Sequence, residues 1–500
     1  MAREYLIGVD LGTSATKAAL YRADGSLVAE ASAEVPLHYP RPGVVEQEQE
    51  DFYRTAAETV GAVIRDSGVN GVDIAAIGFD SQMAGIGGVD ADFRPAIPFD
   101  SWLDMRCQPY IDQLVREHGR MITERSGCPP TCAHAPKILW WMKERREDYR
   151  LIAKFVTPAG FVAGRLAGSR ARDAFMDYTF LHFSSCGDAL RGDWSDATCE
   201  TIGIDREKLP EVVAPWKIVG ETGSAATDFG LPPGVPVVAG AGDTAASALG
   251  AGLVSPGMAL DVAGTASVLA TCTDRYVADV DNRTLLVMRS IISGLWHPLA
   301  YVGGGGIALS WFREQFGGPD GGDGFDTLAE EAEKIAPGAE GLIFSPHLGG
   351  RICPADPERR GAWQGFSWGH TRAHFFRSIL ESVAFEYASY LAILEEMLPE
   401  FQRVEIRAVG GGARSPVWNQ IKADVLGMPY RPLRRTDIAT WGVAMVAGHG
   451  VGLIPDLAES ARSTATTEHE VSPRGEATEA YAPLTRRYVA WQRQQDSVTQ

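Results

Sequence analysis

Apolar and polar positions switch between two periods along this chain. Leu6 to Asp10 is a short apolar run that ends in an acid, and Thr16 to Tyr21 is a second β-prone run. The turn Gly12-Thr13-Ser14 separates them. Asp24-Gly25 is a further turn signal leading into Ser26 to Glu34, so three consecutive antiparallel strands are predicted. The period then changes. Phe52, Ala56, Val60, Val63 and Ile64 recur at helical spacing within Gln49 to Asp66, with acids early, which predicts an amphipathic helix. Ile74 to Phe79 follows as a short buried strand ending at the polar stretch Asp80-Ser81-Gln82. Strand, helix, strand recurs further on, and the class is α/β.

One pattern occurs twice. Ala259-Leu260-Asp261-Val262-Ala263-Gly264-Thr265-Ala266-Ser267 echoes Val9-Asp10-Leu11-Gly12-Thr13-Ser14: an apolar strand, a Gly-Thr turn with hydroxyls, then another β-prone run. The two copies open the two halves of the chain, as expected of a duplicated unit. The turn-rich stretch Ala251 to Gly257 is the natural boundary. The expected units are 1–252 and 253–485, with a polar tail over 486–500; the region after Ala458 is polar and ends weakly. The acidic, Gly-rich run Gly317 to Gly324 reads as a surface loop.

Composition narrows the partners. A chain of 500 residues exceeds a single core, in keeping with two domains. A formal charge of -18 argues against nucleic acid or an anionic membrane, because both select basic surfaces. An anionic substrate must then be held by backbone N–H groups, a metal or a few placed cations. The 7 cysteines are odd in number and scattered, which fits a reducing cytoplasm rather than a disulfide framework. Cys128 and Cys132 lie close together without the His/Cys partners of a zinc set. No signal peptide is expected, and no apolar run reaches 18 residues.

Four segments carry candidate chemistry. The Asp10-Leu11-Gly12-Thr13-Ser14 turn can aim N–H and O–H donors at phosphate oxygens, with Lys17 just beyond and Asp10 able to hold Mg²⁺. Its plain alternative is a surface hairpin with an Asx-type turn. Gly240-Ala241-Gly242-Asp243-Thr244 ends an apolar strand at a helix start, where Asp243 can take a proton from a hydroxyl. The alternative is a helix-capping Asp. Gly410-Gly411-Gly412-Ala413-Arg414-Ser415 joins a strand to a helix and can carry a flat ring or a phosphate against bare backbone, without being a Walker loop. Gly303 to Gly306 is a similar loop, and either could be a ligand-free connection. Finally, Asp80-Ser81-Gln82-Met83 and Ser101-Trp102-Leu103-Asp104-Met105-Arg106 offer a ring and bidentate polar groups to a polyhydroxylated ligand, or else an ion pair over a half-buried Trp.

In this order the motifs resemble the FGGY carbohydrate kinase family, in its xylulose kinase-like branch. The match runs from Tyr5 to about Gly452 through DLGTSATK (Asp10 to Lys17), VEQEQEDFY (Val45 to Tyr53), LDMR (Leu103 to Arg106) and PKILW (Pro136 to Trp140). It continues through GLPPGVPVVAGAGDTAA (Gly230 to Ala246), DVAGTAS, FSPHLGGR (Phe344 to Arg351), HFFRSILES (His374 to Ser382) and GGGARSPVWNQIKADVLG (Gly410 to Gly427). The resemblance implies two ribonuclease H-like domains, the actin-like ATPase fold, around a central cleft. The first would bind sugar and the second nucleotide. Asp243 would be the general base, and Asp10 with Asp243 would hold Mg²⁺. Gly12, Thr13, Ser14 and Lys17, with Gly264 and Thr265, would face the phosphates of ATP. Gly306, Ser310, Gly411, Gly412, Ala413 and Ser415 would line the adenosine site. Gln82, Met83, Trp102, Asp104 and Arg106 would join Asp243 around the sugar.

Three positions depart from the family pattern. Ala84 stands where xylulose kinases usually carry His, Thr244 where they carry Asn, and Gly350 where many members carry Glu. The expected activity is ATP-dependent phosphorylation of a sugar hydroxyl, a ketopentose such as xylulose leading. Another ketose, a polyol such as glycerol or erythritol, or a sugar acid is the alternative. A nucleotide-switched binding protein of the same fold is the reading from a different class. The expected setting is cytoplasmic, with a small-molecule partner and a homodimer left open.

Overall fold

The computed structural model describes residues 3–317 and 324–496. The expected loop at Gly317 to Gly324 falls mostly outside them. Two six-stranded mixed sheets form the frame. In the first, Tyr5–Leu11 pairs antiparallel with Ala15–Arg22 and parallel with Ile74–Ser81, and Ile74–Ser81 pairs parallel with Pro236–Gly242. Leu27–Glu34 and Ile218–Glu221 close the two edges. The three predicted N-terminal strands and the helix Gln49–Ser67 are all present. In the second sheet, Met258–Ala263 pairs antiparallel with Ser267–Thr271 and parallel with Glu405–Val409. The repeated sequence pattern therefore marks the same structural unit, a hairpin with a parallel neighbour, at the centre of each sheet.

The chain crosses back between the halves. Helix Ile438–Gly450 lies past the second sheet in sequence, yet it packs on Tyr5–Leu11 and on helix Asp243–Gly250. Close approach needs glycine here: a Cβ on Gly8 would stand 1.9 Å from the Thr440 carbonyl oxygen, and one on Gly442 1.9 Å from that of Ala246. Part of the expected second unit, helix Ile438–Gly450, thus packs on the first sheet.

Within the polar region after Ala458, Leu457–Thr464 and Gly475–Asp496 are helices. Tyr481, Tyr488 and Trp491 are buried against helix Arg372–Met397 and its neighbours. Their spacing of three to seven residues is a helical stripe, diluted by the many charged residues on the exposed side. Among the described residues no helix is long and apolar enough to cross a membrane, and the cysteines are all free thiols.

Candidate active site

The parallel pairing of three strands brings three acids to one edge. Asp10 and Asp80 are direct register partners, and Ala241 is the partner of Asp80 on the other side. Asp243 follows two residues later, at the first turn of helix Asp243–Gly250. This is the carboxyl end of the strands, where open α/β sheets bind ligands. The backbone at Gly242 is fixed from behind, since its N–H donates to Thr179 Oγ1 (2.9 Å), and Thr179 Oγ1 donates to Asp177 (2.6 Å).

The electrostatics of these acids are unbalanced. Burial, then the charge of Asp10, pushes the Asp243 carboxyl up to about 7. Burial also raises Asp10, and it raises Asp80 well above the usual carboxylate range with help from its two acidic neighbours. Asp10 and Asp80 are side by side in register, and among the described residues neither oxygen of Asp80 has a hydrogen-bond donor. Lys17, the strand partner of Asp10, is the cation that eases both. In the sequence Asp80 opens the candidate sugar loop Asp80-Ser81-Gln82-Met83. Its role emerges only from pairing with Asp10.

Asp243 opens into a cavity of about 660 Å³ between the halves of the chain. Thr13, Gln82, Met83, Ala84 and Trp102 line it from the first half, and Ala266, Val268, Tyr301 and Cys353 from the second. Trp102 Nε1 donates to Thr13 Oγ1 (2.9 Å), tying the expected sugar loop to the expected phosphate turn. Asp243 Oδ1 accepts from the N–H of Thr244 (2.6 Å) and from its hydroxyl (3.1 Å).

Asp104 and Arg106 do not belong to this wall. Asp104 is fully buried, accepts from the Val45 N–H (2.7 Å), and takes two oxygens' worth of bonds from Arg106 Nε at 2.9 Å. Arg106 also binds Glu46 at 2.6 Å and lies over the Trp140 ring. Both side chains are spent on one another and on strand Glu46–Gln47, whose contact is distant in sequence, so they shape the loop rather than grip a ligand.

The residues expected around the nucleotide do converge, at the end of Met258–Ala263. The Gly264 carbonyl accepts from the Gly306 N–H (3.0 Å), and that of Thr265 from Ile307 (2.9 Å). Ser310 lies on the same helix, Gly306–Phe316. Gly410 (φ +98°) turns the second Gly-rich loop so that a Cβ on Gly412 would stand 2.9 Å from Ala263 Cβ. Gly411 faces open space, Ala413 is buried, and Ser415 caps helix Pro416–Leu426 by accepting from Trp418 N–H. Ser14 and Thr265 are exposed at the two turns.

Two actin-like halves, with acids at the strand ends and a cavity lined from both, define a phosphotransferase. The chain belongs to the FGGY family of carbohydrate kinases: the model of the N-terminal domain matches residues 5–250 and that of the C-terminal domain residues 259–451. It is 28% identical to a xylulose kinase of Bacillus subtilis, covering 96% of this chain and 95% of the relative. It is also 28% identical to a gluconokinase of the same organism, covering 84% and 82%. Among solved structures, a xylulose kinase from Rhodospirillum rubrum superposes with a TM-score of 0.88 at 26% identity, covering 97% of this chain and 98% of that one. The protein is therefore a carbohydrate kinase. The non-enzymatic reading of the fold falls away.

Proposed function

We propose that this kinase transfers the γ-phosphoryl group of ATP to a hydroxyl of a ketopentose such as xylulose. The observation that carries the reading is Asp243, raised to about 7 and opening on a cavity shared by both halves. A base poised near neutrality can accept the proton of the attacking hydroxyl as its oxygen bonds to phosphorus and the bridge to ADP breaks. Thr13, Ser14, Gly264 and Thr265 supply donors to the phosphates. Gly306, Ser310 and the Gly411 to Ser415 turn supply a bare surface for adenosine. Gln82, Met83 and Trp102 receive the sugar.

Mg²⁺ fits the residues present. The donors are all carboxylate oxygens, and Asp80 has two with no other partner. Mg²⁺ keeps waters and phosphate oxygens in its shell and needs only one or two carboxylates from the protein. Asp10 and Asp80, with Asp243 near, would hold it, and it would neutralise charge developing on the phosphates. The similarity to xylulose kinases favours the ketopentose, and the gluconokinase relative keeps a sugar acid as the second reading.

ADP release measured across ketoses, polyols and aldonic acids tests the substrate. Asp243→Asn tests the base: kcat should fall at least about 10²-fold, the usual size for such a group, while ATP still binds. Near-normal turnover in this variant refutes the assignment.

A further inference from the structure

We propose that Gln47 is a positioning residue that couples occupancy of the sugar pocket to the phosphate-binding turn at Thr13. This rests on the roles given above to Gln82 and Thr13. Gln47 is fully buried, in the two-residue strand Glu46–Gln47. Its carboxamide lies between two loops of different duty. Nε2 donates to the Thr13 carbonyl (2.9 Å) and more weakly to that of Pro36 (3.4 Å), and Oε1 accepts from Gln82 Nε2 (2.8 Å).

The far end of the chain of bonds is open. Gln82 is 2% exposed and lines the cavity, and its Oε1 has no donor among the described residues. A buried carbonyl oxygen without a donor is unfavourable until one arrives. A substrate hydroxyl in the cavity supplies it. Donation to Gln82 Oε1 makes the Gln82 Nε2–H a stronger donor to Gln47, and the Gln47 Nε2–H a stronger donor to Thr13, because linked hydrogen bonds polarise one another. Thr13 is held from its other side by Trp102 Nε1, which occupies a lone pair of Oγ1 and leaves the hydroxyl proton to point outward. The Gln82 N–H also donates to the Leu11 carbonyl (3.2 Å), two residues before Thr13. Sugar binding thus firms the turn that receives phosphate, and Gln47 touches neither ligand.

Calorimetry on the full chain tests this. Affinity for the Mg²⁺ complex of the non-hydrolysable analogue AMP-PNP is measured with and without saturating D-xylulose, and D-xylulose is measured alone. The variants are Gln47→Met and, should that fail to fold, Gln47→Glu, which keeps an acceptor for Gln82 and loses the donor to Thr13. In the wild type, D-xylulose should tighten AMP-PNP by a factor within the usual range of about 5- to 150-fold. In the variant each ligand alone should bind about as in the wild type, within about 3-fold, while the coupling factor drops below about 2. An unchanged coupling factor in a folded variant overturns the relay, as does an equal loss of affinity for both ligands alone, which marks a merely structural role. Wild type that binds both ligands without coupling overturns the relay and leaves the kinase reading standing. Wild type that fails to bind D-xylulose overturns the ketopentose, and the cycle is then run with D-gluconate.

Discussion

The two hairpins that open the two sheets carry the same motif and opposite electrostatics. In the second, Asp261 is fully buried and fully answered: Lys422 Nζ binds it at 2.5 Å, and the hydroxyls of Tyr387 and Tyr430 each donate to it at 2.7 Å. In the first, Asp10 meets Asp80, a second acid whose oxygens have no donor, and Asp243 adds a third. One residue of spacing makes the difference. Asp10 precedes its turn glycine, Gly12, by two positions, and Asp261 precedes Gly264 by three. Alternation along a strand turns one carboxylate to the cleft and the other to the interior. Duplication supplied the frame, and the unanswered charge marks which copy does chemistry.

The largest expected effect breaks the satisfied copy. Lys422→Met strands a buried carboxylate, and unfolding free energy in urea should fall by about 3–5 kcal/mol, the usual cost of removing one partner of a buried pair. The double variant Asp261→Asn with Lys422→Met should cost clearly less than the single one, since no charge is left unpaired. Equal stability of wild type and Lys422→Met would sink the comparison.

Asp80→Asn should do the reverse. It replaces a buried carboxyl that is costly to ionise and has no hydrogen-bond donor among the described residues by a neutral amide, so unfolding free energy should hold or rise by about 1 kcal/mol. Its kcat/KM should nonetheless fall more than about 10-fold, or about 1.4 kcal/mol of transition-state stabilisation. A variant that loses stability and keeps activity would make Asp80 structural.

How much of this was legible beforehand depends on the range of the signal. The hairpins, the Gly-rich turns and Asp243 announce themselves within about ten residues, through period, glycine and turn chemistry. Asp80 is visible only as the first residue of a candidate sugar loop, because its place beside Asp10 appears once the two strands are in register. Asp104 and Arg106 misled for the same reason. Their neighbours in sequence suggest a sugar grip, and their neighbours in space, Val45 and Glu46, consume them. The crossing helix Ile438–Gly450 and the final helix likewise owe their places to contacts far away in sequence.

Buried imidazoles extend the comparison to pH. His297, in the second sheet, has both nitrogens bonded, to the Thr271 carbonyl at 3.0 Å and Ser290 Oγ at 2.9 Å. His134, behind the sugar loop, bonds the Met83 carbonyl and leaves Nδ1 without a partner. Burial lowers each to about 4. The unfolded chain takes up these protons below about pH 6.5 and the folded chain only near pH 4, so stability is lost as pH falls across that window. At pH 5 each imidazole should account for about 2 kcal/mol of that loss. His297→Gln and His134→Gln should each flatten the acid limb of a stability profile by that amount, and an unchanged limb would contradict the burial argument.

The smallest expected effect is at the cavity wall. Ala84 is buried and lines the pocket beside Gln82 and Met83, offering a methyl where xylulose kinases usually present an imidazole. One hydrogen bond to a neutral sugar hydroxyl is worth about 0.5–1.5 kcal/mol, or roughly 2- to 12-fold in affinity. The methyl also leaves room that could seat another hydroxyl configuration or a bulkier end group. Trp102 and Gln82 remain to hold a ligand there, whereas Arg106 is committed to Asp104 and Glu46 and is not free to receive a carboxylate. D-xylulose should therefore be a weak or moderate substrate, with another ketose or polyol equal or better, and Ala84→His should shift kcat/KM toward D-xylulose. Those constants, measured over a panel for both proteins, decide the matter. If D-xylulose is best by a wide margin in the wild type and Ala84→His makes it worse, then the wall at Ala84 does not select the sugar.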